Sequence, residues 1–577
     1  VEMSSKTPKF DAKIDEILNS LVPHTRACGD CNQNFKIESE DITFFKMFRV
    51  PPPKLCPDCR QRRRLAFVNY SNIYKRQCNV LNHTESMLSL VAPVMPWITY
   101  DYDTYYSDSW NPASYGQDFN LNKSFFSQYL EILKVIPQPG VKRGANCINS
   151  DFCFHGESLR DGYYVFGGRR SENILYSASI YDSKSVLDSY FLRDVDTAYN
   201  NITTSDCYKC FFTYFSSNCI DCTLVYDCRN CQNCFGCVNL RNKSYCWFNE
   251  QLSKEEYFKK LSEVDLGSRK ILTQYQEKFW NLVKENPIRA VRNYQSVNVS
   301  GNDIKRSKDC YNVFQTEDSE NVRHSSFVIF KIKDSMDTSF SGRAERSYET
   351  QSTSANSSNV KFSYNLKESV DCEYSMTCKN CSNCFGCIGV NNASYMIFNK
   401  KYSPEEYWRV VDEIKTTMIE NGEYGEFFPM SFSPVAYNSS MANLVYPLTE
   451  DETRKRGLYW QEETNTDIKD LKSILASDLP DNIKDVTDNI FDTVVVGEVS
   501  KKLFRFTKRE IDFYKKHNIA LPSDTPYQRI IDRFKILDNF KIYQESCFSC
   551  KKDISSSHRK SDGYKPFCEQ CYQREIL

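Results

Sequence analysis

Glycine is scarce in this chain, 19 in 577 residues, and no uninterrupted apolar run is long enough to span a bilayer. The missing apolar run excludes a helical membrane span. Net charge is almost nil: 74 Lys and Arg stand against 75 Asp and Glu. No global field therefore draws in nucleic acid, and any such contact must come from a local patch. The six histidines, at 24, 83, 155, 324, 517 and 558, are scattered. No phosphate loop, dinucleotide fingerprint, nucleophile elbow or HExxH occurs. With nothing to nominate for catalysis, a non-enzyme is the expectation. The start also lacks the apolar core of a signal peptide, which points to a cytoplasmic chain.

Aromatics and cysteine are plentiful instead, with 37 Tyr, 38 Phe and 26 Cys. Aromatic side chains supply much of the buried surface of such a chain. In a reducing compartment, CxxC pairs read as metal ligands before they read as disulfides.

A beat of twelve residues runs through the middle. Cys210, Cys222, Cys234 and Cys246 keep it, and Cys207, Cys219 and Cys231 run three residues ahead. It returns at Met336, Tyr348, Val360, Cys372, Cys384 and Met396. A short fixed period without helical spacing predicts stacked coils that share one thin core. Asn and Ser suit the corners, because they tolerate tight turns and bond their own backbone. The two halves are copies: Cys222, Cys228, Cys231, Cys234 and Cys237 map onto Cys372, Cys378, Cys381, Cys384 and Cys387 at an offset of 150. Upstream the offset is 148, and a two-residue insertion between Val322 and Met336 accounts for the change. After each copy, Ser253 with Glu256 and Ser403 with Glu406 form capping boxes. They predict helices over about 254–265 and 404–418 that cover the open ends.

Cys228-x2-Cys231-x2-Cys234-x2-Cys237 invites an iron–sulfur reading. The wider last step and the proline of ferredoxin ligation are missing. Periodicity already explains these residues as packing, since free Cys behaves as a small hydrophobe. Packing is the favoured reading.

The chain ends carry the stronger metal signal. Cys28-Gly-Asp-Cys31 with Cys56-Pro-Asp-Cys59, and Cys547-x2-Cys550 with Cys568-x2-Cys571, each make a four-thiolate structural zinc site. Four thiolates close the coordination sphere, which fits a structural role. Arg60, Arg62, Arg63 and Arg64 follow the second pair as the first turns of a helix. At an offset of 469, Phe35, Ile42, Phe44, Pro57, Arg60 and Arg64 meet Phe504, Ile511, Phe513, Pro526, Arg529 and Arg533. The first-site ligands there have become Gly497, Ser500, Thr525 and Gln528. Cys78 falls on Cys547, while Leu81 stands where Cys550 would be. Each end thus reads as one ancestral two-zinc unit, and the chain as A–B–B′–A′.

The run CGDCNQNFKIESEDITFFKMFRVPPPKLCPDCRQRRR resembles the probable zinc-ribbon family of bacterial proteins, and its second pair at a helix start is similar to a treble-clef finger. Together with the DCxxCxxCFGCxNL run at 227–240, GEYGEFFP at 422–429 and the terminal CEQCY, the whole chain resembles a family of large zinc-ribbon proteins of candidate-phyla bacteria. That resemblance implies a fold and zinc, and no activity.

The expected fold class is mainly β with α: two right-handed β-solenoids of twelve-residue coils with capping helices, flanked by two related treble-clef zinc domains. The expected domains are 1–148, a zinc domain with a Tyr/Asp-rich extension; 149–268, the first solenoid and cap; 269–293, a connecting helix; 294–420, the second solenoid and cap; 421–495, an irregular aromatic linker; and 496–577, the second zinc domain. The Tyr- and Asp-rich stretch 97–129 reads as a loop packed on the first solenoid coil, against a recognition surface or cation site. The leading functional expectation is a zinc-stabilised scaffold with about two structural zinc ions. Its contact with RNA, DNA or a ribonucleoprotein would run through Lys54, Arg60, Arg62, Arg63 and Arg64. The competing reading pairs these arginines with the acidic residues Glu38, Glu40 and Asp41. A protein-interaction role for the rods is the alternative, and an iron–sulfur or redox protein the third.

Overall fold

The computed structural model describes residues 5–576 apart from 70–71, 82, 142–145, 329, 463–472 and 538–539. It is a mixed α/β chain that divides into two compact units. One joins Val1–Val141 to Val291–Gln461, the other Lys142–Ala290 to Glu462–Leu577. Each unit therefore combines one end of the chain with the strand-rich half remote from it in sequence.

Each unit holds a long sheet of parallel strands, closed by one antiparallel strand at Glu250–Gln251 or Lys400–Lys401. Register confirms the beat. Ile174 pairs with Val186, Val186 with Ala198, and Cys234 with Cys246. In the second unit Val360 pairs with Cys372, Cys372 with Cys384, and Cys384 with Met396.

A shorter period lies inside the twelve. From Asn146 to Phe248 every third residue has a positive φ, so each twelve-residue turn has four left-handed corners. Asn and Asp, which occupy this region at least cost, fill many of them: Asn173, Asp182, Asp188, Asp194, Asn200 and Asp206. The residue after each corner points inward. Ile174, Ser177, Ile180, Ser183, Val186, Ser189 and Leu192 are all buried. Inward Ser and Cys then serve the backbone. Ser183 Oγ donates to the Tyr181 carbonyl at 2.7 Å and accepts from the Val195 amide, twelve residues on, at 3.1 Å. Such bonds satisfy corner groups that water cannot reach, each worth about 1 kcal/mol net. The CxxCxxCxxC run is this inward triplet repeated through one full turn. Cys228, Cys231, Cys234 and Cys237 donate to the carbonyls of Tyr226, Arg229, Gln232 and Phe235. Burial pushes the Cys228 and Cys237 thiols up, while hydrogen bonds from neighbouring thiols lower Cys231 and Cys234.

Glycine is used where an aromatic covers a corner. A Cβ on Gly236 (φ +69°) would stand 2.7 Å from the Phe248 ring, and one on Gly386 (φ +67°) 2.8 Å from Phe398.

The insertion in the second copy is not a single two-residue event. Val322 pairs with Ser335 and Ser347 with Val360, each thirteen residues on, so two separate one-residue insertions share the shift. Met336 and Tyr348 consequently leave the inner rung. They pair with each other on the outer face and enter the aromatic core under the N-terminal helices, with Phe45, Phe48 and Phe362.

Helices Lys254–Ser262 and Pro404–Glu420 begin at capping boxes of Ser253 with Glu256 and Ser403 with Glu406. The Tyr/Asp-rich stretch does not lie on the first coil of the first copy. It covers the last turn of the second: Phe119 and Phe125 stack on Phe398, and the Gln117 amide donates to the Phe398 carbonyl at 3.2 Å.

Candidate metal centres

The first four-thiol group is built by a hairpin and a helix. Strands His24–Ala27 and Asn34–Ile37 pair antiparallel, and Cys28 and Cys31 sit in their turn. There the Asn32 amide, at φ +59°, donates to the Cys28 carbonyl at 3.0 Å. Cys56 is the residue before helix Pro57–Leu65, and Cys59 lies in its first turn. The second group repeats this design. Strands Tyr543–Ser546 and Asp553–Ser556 flank Cys547 and Cys550, and Cys568 precedes helix Glu569–Ile576. Lys551, at φ +65°, donates its amide to the Cys547 carbonyl at 3.0 Å.

In both groups the ligand atoms all lie within 4.8 Å of one another. Cys31 Sγ is 3.8 Å from Cys56 Sγ, and Cys550 Sγ is 3.8 Å from Cys568 Sγ. A tetrahedron with metal–sulfur bonds of about 2.3 Å has edges of about 3.8 Å. The backbone supports both sites alike: the Cys56 amide donates to Cys28 Sγ and the Cys568 amide to Cys547 Sγ, each at 3.3 Å. The neighbouring Cys59 thiol pulls Cys56 down to about 5. Burial raises Cys547, yet amides from Cys568, Cys550 and Ser549 overcome it and hold the thiol at about 6. The eight cysteines expected as ligands are thus brought together in two sets of four that could hold metal ions.

Nothing among protein-family models, curated proteins or solved structures matches this chain. Its sites must be read from their own geometry.

The module with Gly497, Ser500, Thr525 and Gln528 keeps the same backbone without a metal set. The Lys501 amide, at φ +56°, donates to the Gly497 carbonyl at 3.2 Å. Asp524 occupies the interior: its carboxylate accepts amides from Val499 at 2.6 Å, Ser500 at 3.1 Å and Thr525 at 2.8 Å. A carboxylate bonded to three amides thus organises the loop that a four-thiol set occupies in the other modules. Reading ligand columns alone missed Asp524, which sits one residue before its column.

The basic cluster corrects an expectation. Arg60, Arg63 and Arg64 do not face solvent; Arg64 is 0% exposed. Desolvating a guanidinium requires paired carboxylates, and the parallel strands of the same unit supply them. Arg60 Nε lies 2.8 Å from Asp337 Oδ2, Arg64 Nη1 3.1 Å from Asp337 Oδ1, and Arg63 Nη2 3.0 Å from Glu349 Oε1. Arg62 pairs with Asp30, and Lys54 Nζ donates to the Gly422 carbonyl at 2.5 Å. Of the acidic residues expected as their partners, Glu38 and Asp41 bond Arg323 instead. The second unit repeats the clamp: Arg529 Nη1 is 3.0 Å and Arg533 Nη1 3.1 Å from Asp188. Even the secondary bonds match, for Arg64 donates to the His324 carbonyl and Arg533 to the Tyr176 carbonyl, both at 3.1 Å. Asp337 and Asp188 occupy left-handed corners. The matched arginines were visible in sequence; their acceptors were not, because corner aspartates look like turn residues.

The segment 422–429 is equally structural. Tyr424, Phe427 and Phe428 are buried, Glu426 pairs with Arg63, and Glu423 accepts the amides of Phe125 and Phe126 at a helix start. A groove of about 840 Å³ remains between the first hairpin and the parallel strands of its unit, lined among others by Lys36, Glu38, Asn298, Asp309 and Tyr311. No helix among the described residues is long and apolar enough to cross a membrane.

Proposed function

We propose that this protein is a non-enzymatic binding scaffold stabilised by two structural zinc ions, one in each four-thiol group. The two parallel-strand stacks are right-handed β-solenoids of twelve-residue coils, and the hairpin–helix modules are treble clefs that clamp them through buried arginines. The observation carrying this reading is the closure of each set by four thiols, with the arginines of the first set's helix spent on internal ion pairs. A closed set leaves no position for substrate, and each structural zinc would contribute on the order of 10 kcal/mol to the folding of its module.

The partner is a protein or a ribonucleoprotein complex, met through the flat faces of the rods. The groove beside Tyr311 favours this over a contact made by the Arg60–Arg64 helix, because its polar lining is accessible and the arginines are buried. A pull-down from native lysate with and without nuclease tests the reading. A protein retained after nuclease treatment supports it; loss of all bound material points to nucleic acid as the bridge. Iron and a visible absorbance in anaerobically purified protein would overturn it in favour of a redox role.

A further inference from the structure

A third group of ligating side chains lies in the N-terminal unit, where Cys78, His83 and Asp101 place one atom each within 4.8 Å of the others. Its scaffold repeats that of the four-thiol groups. Strands Tyr74–Gln77 and Ser86–Ser89 form an antiparallel hairpin with Cys78 directly after the first strand, as Cys28 and Cys547 are placed. In each four-thiol group the residue after the first cysteine donates its amide to the carbonyl two residues before the third ligand: Gly29 to Lys54 at 3.1 Å, Phe548 to Pro566 at 2.8 Å. Asn79 donates to Thr99 at 2.8 Å, and two residues beyond Thr99 is Asp101. The third-ligand amide donates to the first sulfur at 3.3 Å in both four-thiol groups, and the Asp101 amide donates to Cys78 Sγ at 3.3 Å. Asp101 thus stands in the place of Cys56 and Cys568, before a short helix at Tyr102–Tyr105. Leu81, in the second ligand's place, is exposed, and His83 supplies the missing donor two residues later.

The distances fit coordination. Asp101 Oδ2 lies 3.5 Å from Cys78 Sγ and 3.2 Å from His83 Nδ1. With metal–sulfur bonds of about 2.3 Å and metal–nitrogen or –oxygen bonds of about 2.0 Å, tetrahedral edges come to about 3.5 Å for S···O and 3.3 Å for N···O. Asp101 Oδ1 is occupied separately, accepting the Thr104 amide at 3.0 Å, which aims Oδ2 at the thiol and the imidazole. Three residues after Asp101, where Cys59 and Cys571 stand in the other groups, there is Thr104.

We propose that Cys78, His83 and Asp101 form a third metal site, which takes a zinc-class divalent cation through sulfur, nitrogen and oxygen and leaves its fourth position open to water or a small exogenous ligand. One thiolate, one imidazole and one carboxylate form a borderline donor set that suits zinc. Three protein ligands with an open position make an exchangeable site, unlike the closed sets beside it. The inference rests on reading the four-thiol groups as metal sites, since it argues from their shared scaffold.

The test counts zinc on the full-length chain after saturation with zinc, gel filtration and brief EDTA treatment. Wild type is expected to carry three equivalents before EDTA and two after. His83→Ala, a change at an exposed side chain, and Asp101→Ala are expected to carry two throughout, which also shows that the four-thiol modules remain folded. Thr104→Cys supplies the missing thiolate and is expected to make the third equivalent resist EDTA. A wild type that carries only two, or variants that keep three, overturns the third site. A wild type that carries fewer than two overturns the four-thiol reading instead.

Discussion

Arg64 Nη1 lies 3.1 Å from Asp337 Oδ1, both side chains shut off from water, and Arg533 meets Asp188 at the same 3.1 Å in the other unit. The duplication therefore preserved the contact between module and strands as well as the modules themselves. Removing one partner strands a buried charge, a loss of about 3–5 kcal/mol. Arg64→Ala and Asp337→Asn are each expected to lower the unfolding midpoint on that scale. Arg62→Ala, at the partly exposed pair with Asp30, is expected to cost about 1 kcal/mol. Thermal unfolding with zinc content monitored checks both. Equal losses from Arg62→Ala and Arg64→Ala would contradict the burial argument.

Cysteines inside the strand stacks and cysteines in the end modules should answer substitution differently. Cys222 Sγ donates to the Ile220 carbonyl at 3.3 Å in a fully buried rung. A serine hydroxyl can keep that bond, so Cys222→Ser is expected to cost no more than about 1 kcal/mol. Cys222→Leu overfills the rung and is expected to cost about 1–3 kcal/mol. Neither should change the zinc count, whereas Cys56→Ser should lose one equivalent. Elemental analysis beside denaturant melts separates packing thiols from ligating ones.

Asp524 ties the loop together in the module that lacks thiols. Burial raises its carboxyl, but the Ser500 hydroxyl and the amides of Val499, Ser500 and Thr525 overcome that and lower it. A lowered carboxyl contributes stability above its ordinary value of 3.8, and that contribution disappears as pH falls below it. Asp524→Ala leaves four donors, three amides and the Ser500 hydroxyl, without their acceptor, an expected loss of about 3 kcal/mol at neutral pH. Added zinc should not restore it, because Gly497, Ser500, Thr525 and Gln528 offer no thiolate. Rescue by zinc would show that this module still binds metal.

What could be read from sequence follows the physics of each signal. The four-thiol sets were legible because CxxC spacing is local and a metal demands it. The twelve-residue register was legible because stacked turns repeat one environment. The three-residue period beneath it was hidden, since Asn, Asp, Ser, Tyr and Phe all occupy left-handed corners and composition does not mark them. Met336 and Tyr348 kept the beat in number but lost it in space, because each one-residue insertion rotates the chain by one position relative to the inner face. The arginines at 60–64 looked exposed because a basic run is normally solvated. Only the distant carboxylates Asp337 and Glu349 reveal that they are core.

Glu373 holds two buried ammonium groups at once. Its carboxylate lies 3.0 Å from both Lys361 Nζ and Lys415 Nζ, and accepts the Tyr424 hydroxyl at 2.8 Å. Burial opposes ionisation, yet Lys361 and Lys415 outweigh it and hold the carboxyl at about 2 instead of 4.5. Above 4.5 the full contribution is present, about 3 kcal/mol from the size of the shift, and it is lost as pH falls through about 2. Lys415 is pushed down by the same burial to about 8, so this cluster is already short of negative charge. Glu373→Gln removes the one carboxylate both lysines share, and is expected to destabilise by about 3–5 kcal/mol at pH 7. Acidification below 4.5 should progressively shrink the difference, which vanishes only once the wild-type carboxyl is neutral, below about 2. Urea melts of both proteins between pH 7 and pH 2.5 follow the gap. A gap that stays constant across that range would place its origin in packing around Tyr424 rather than in the charge of Glu373.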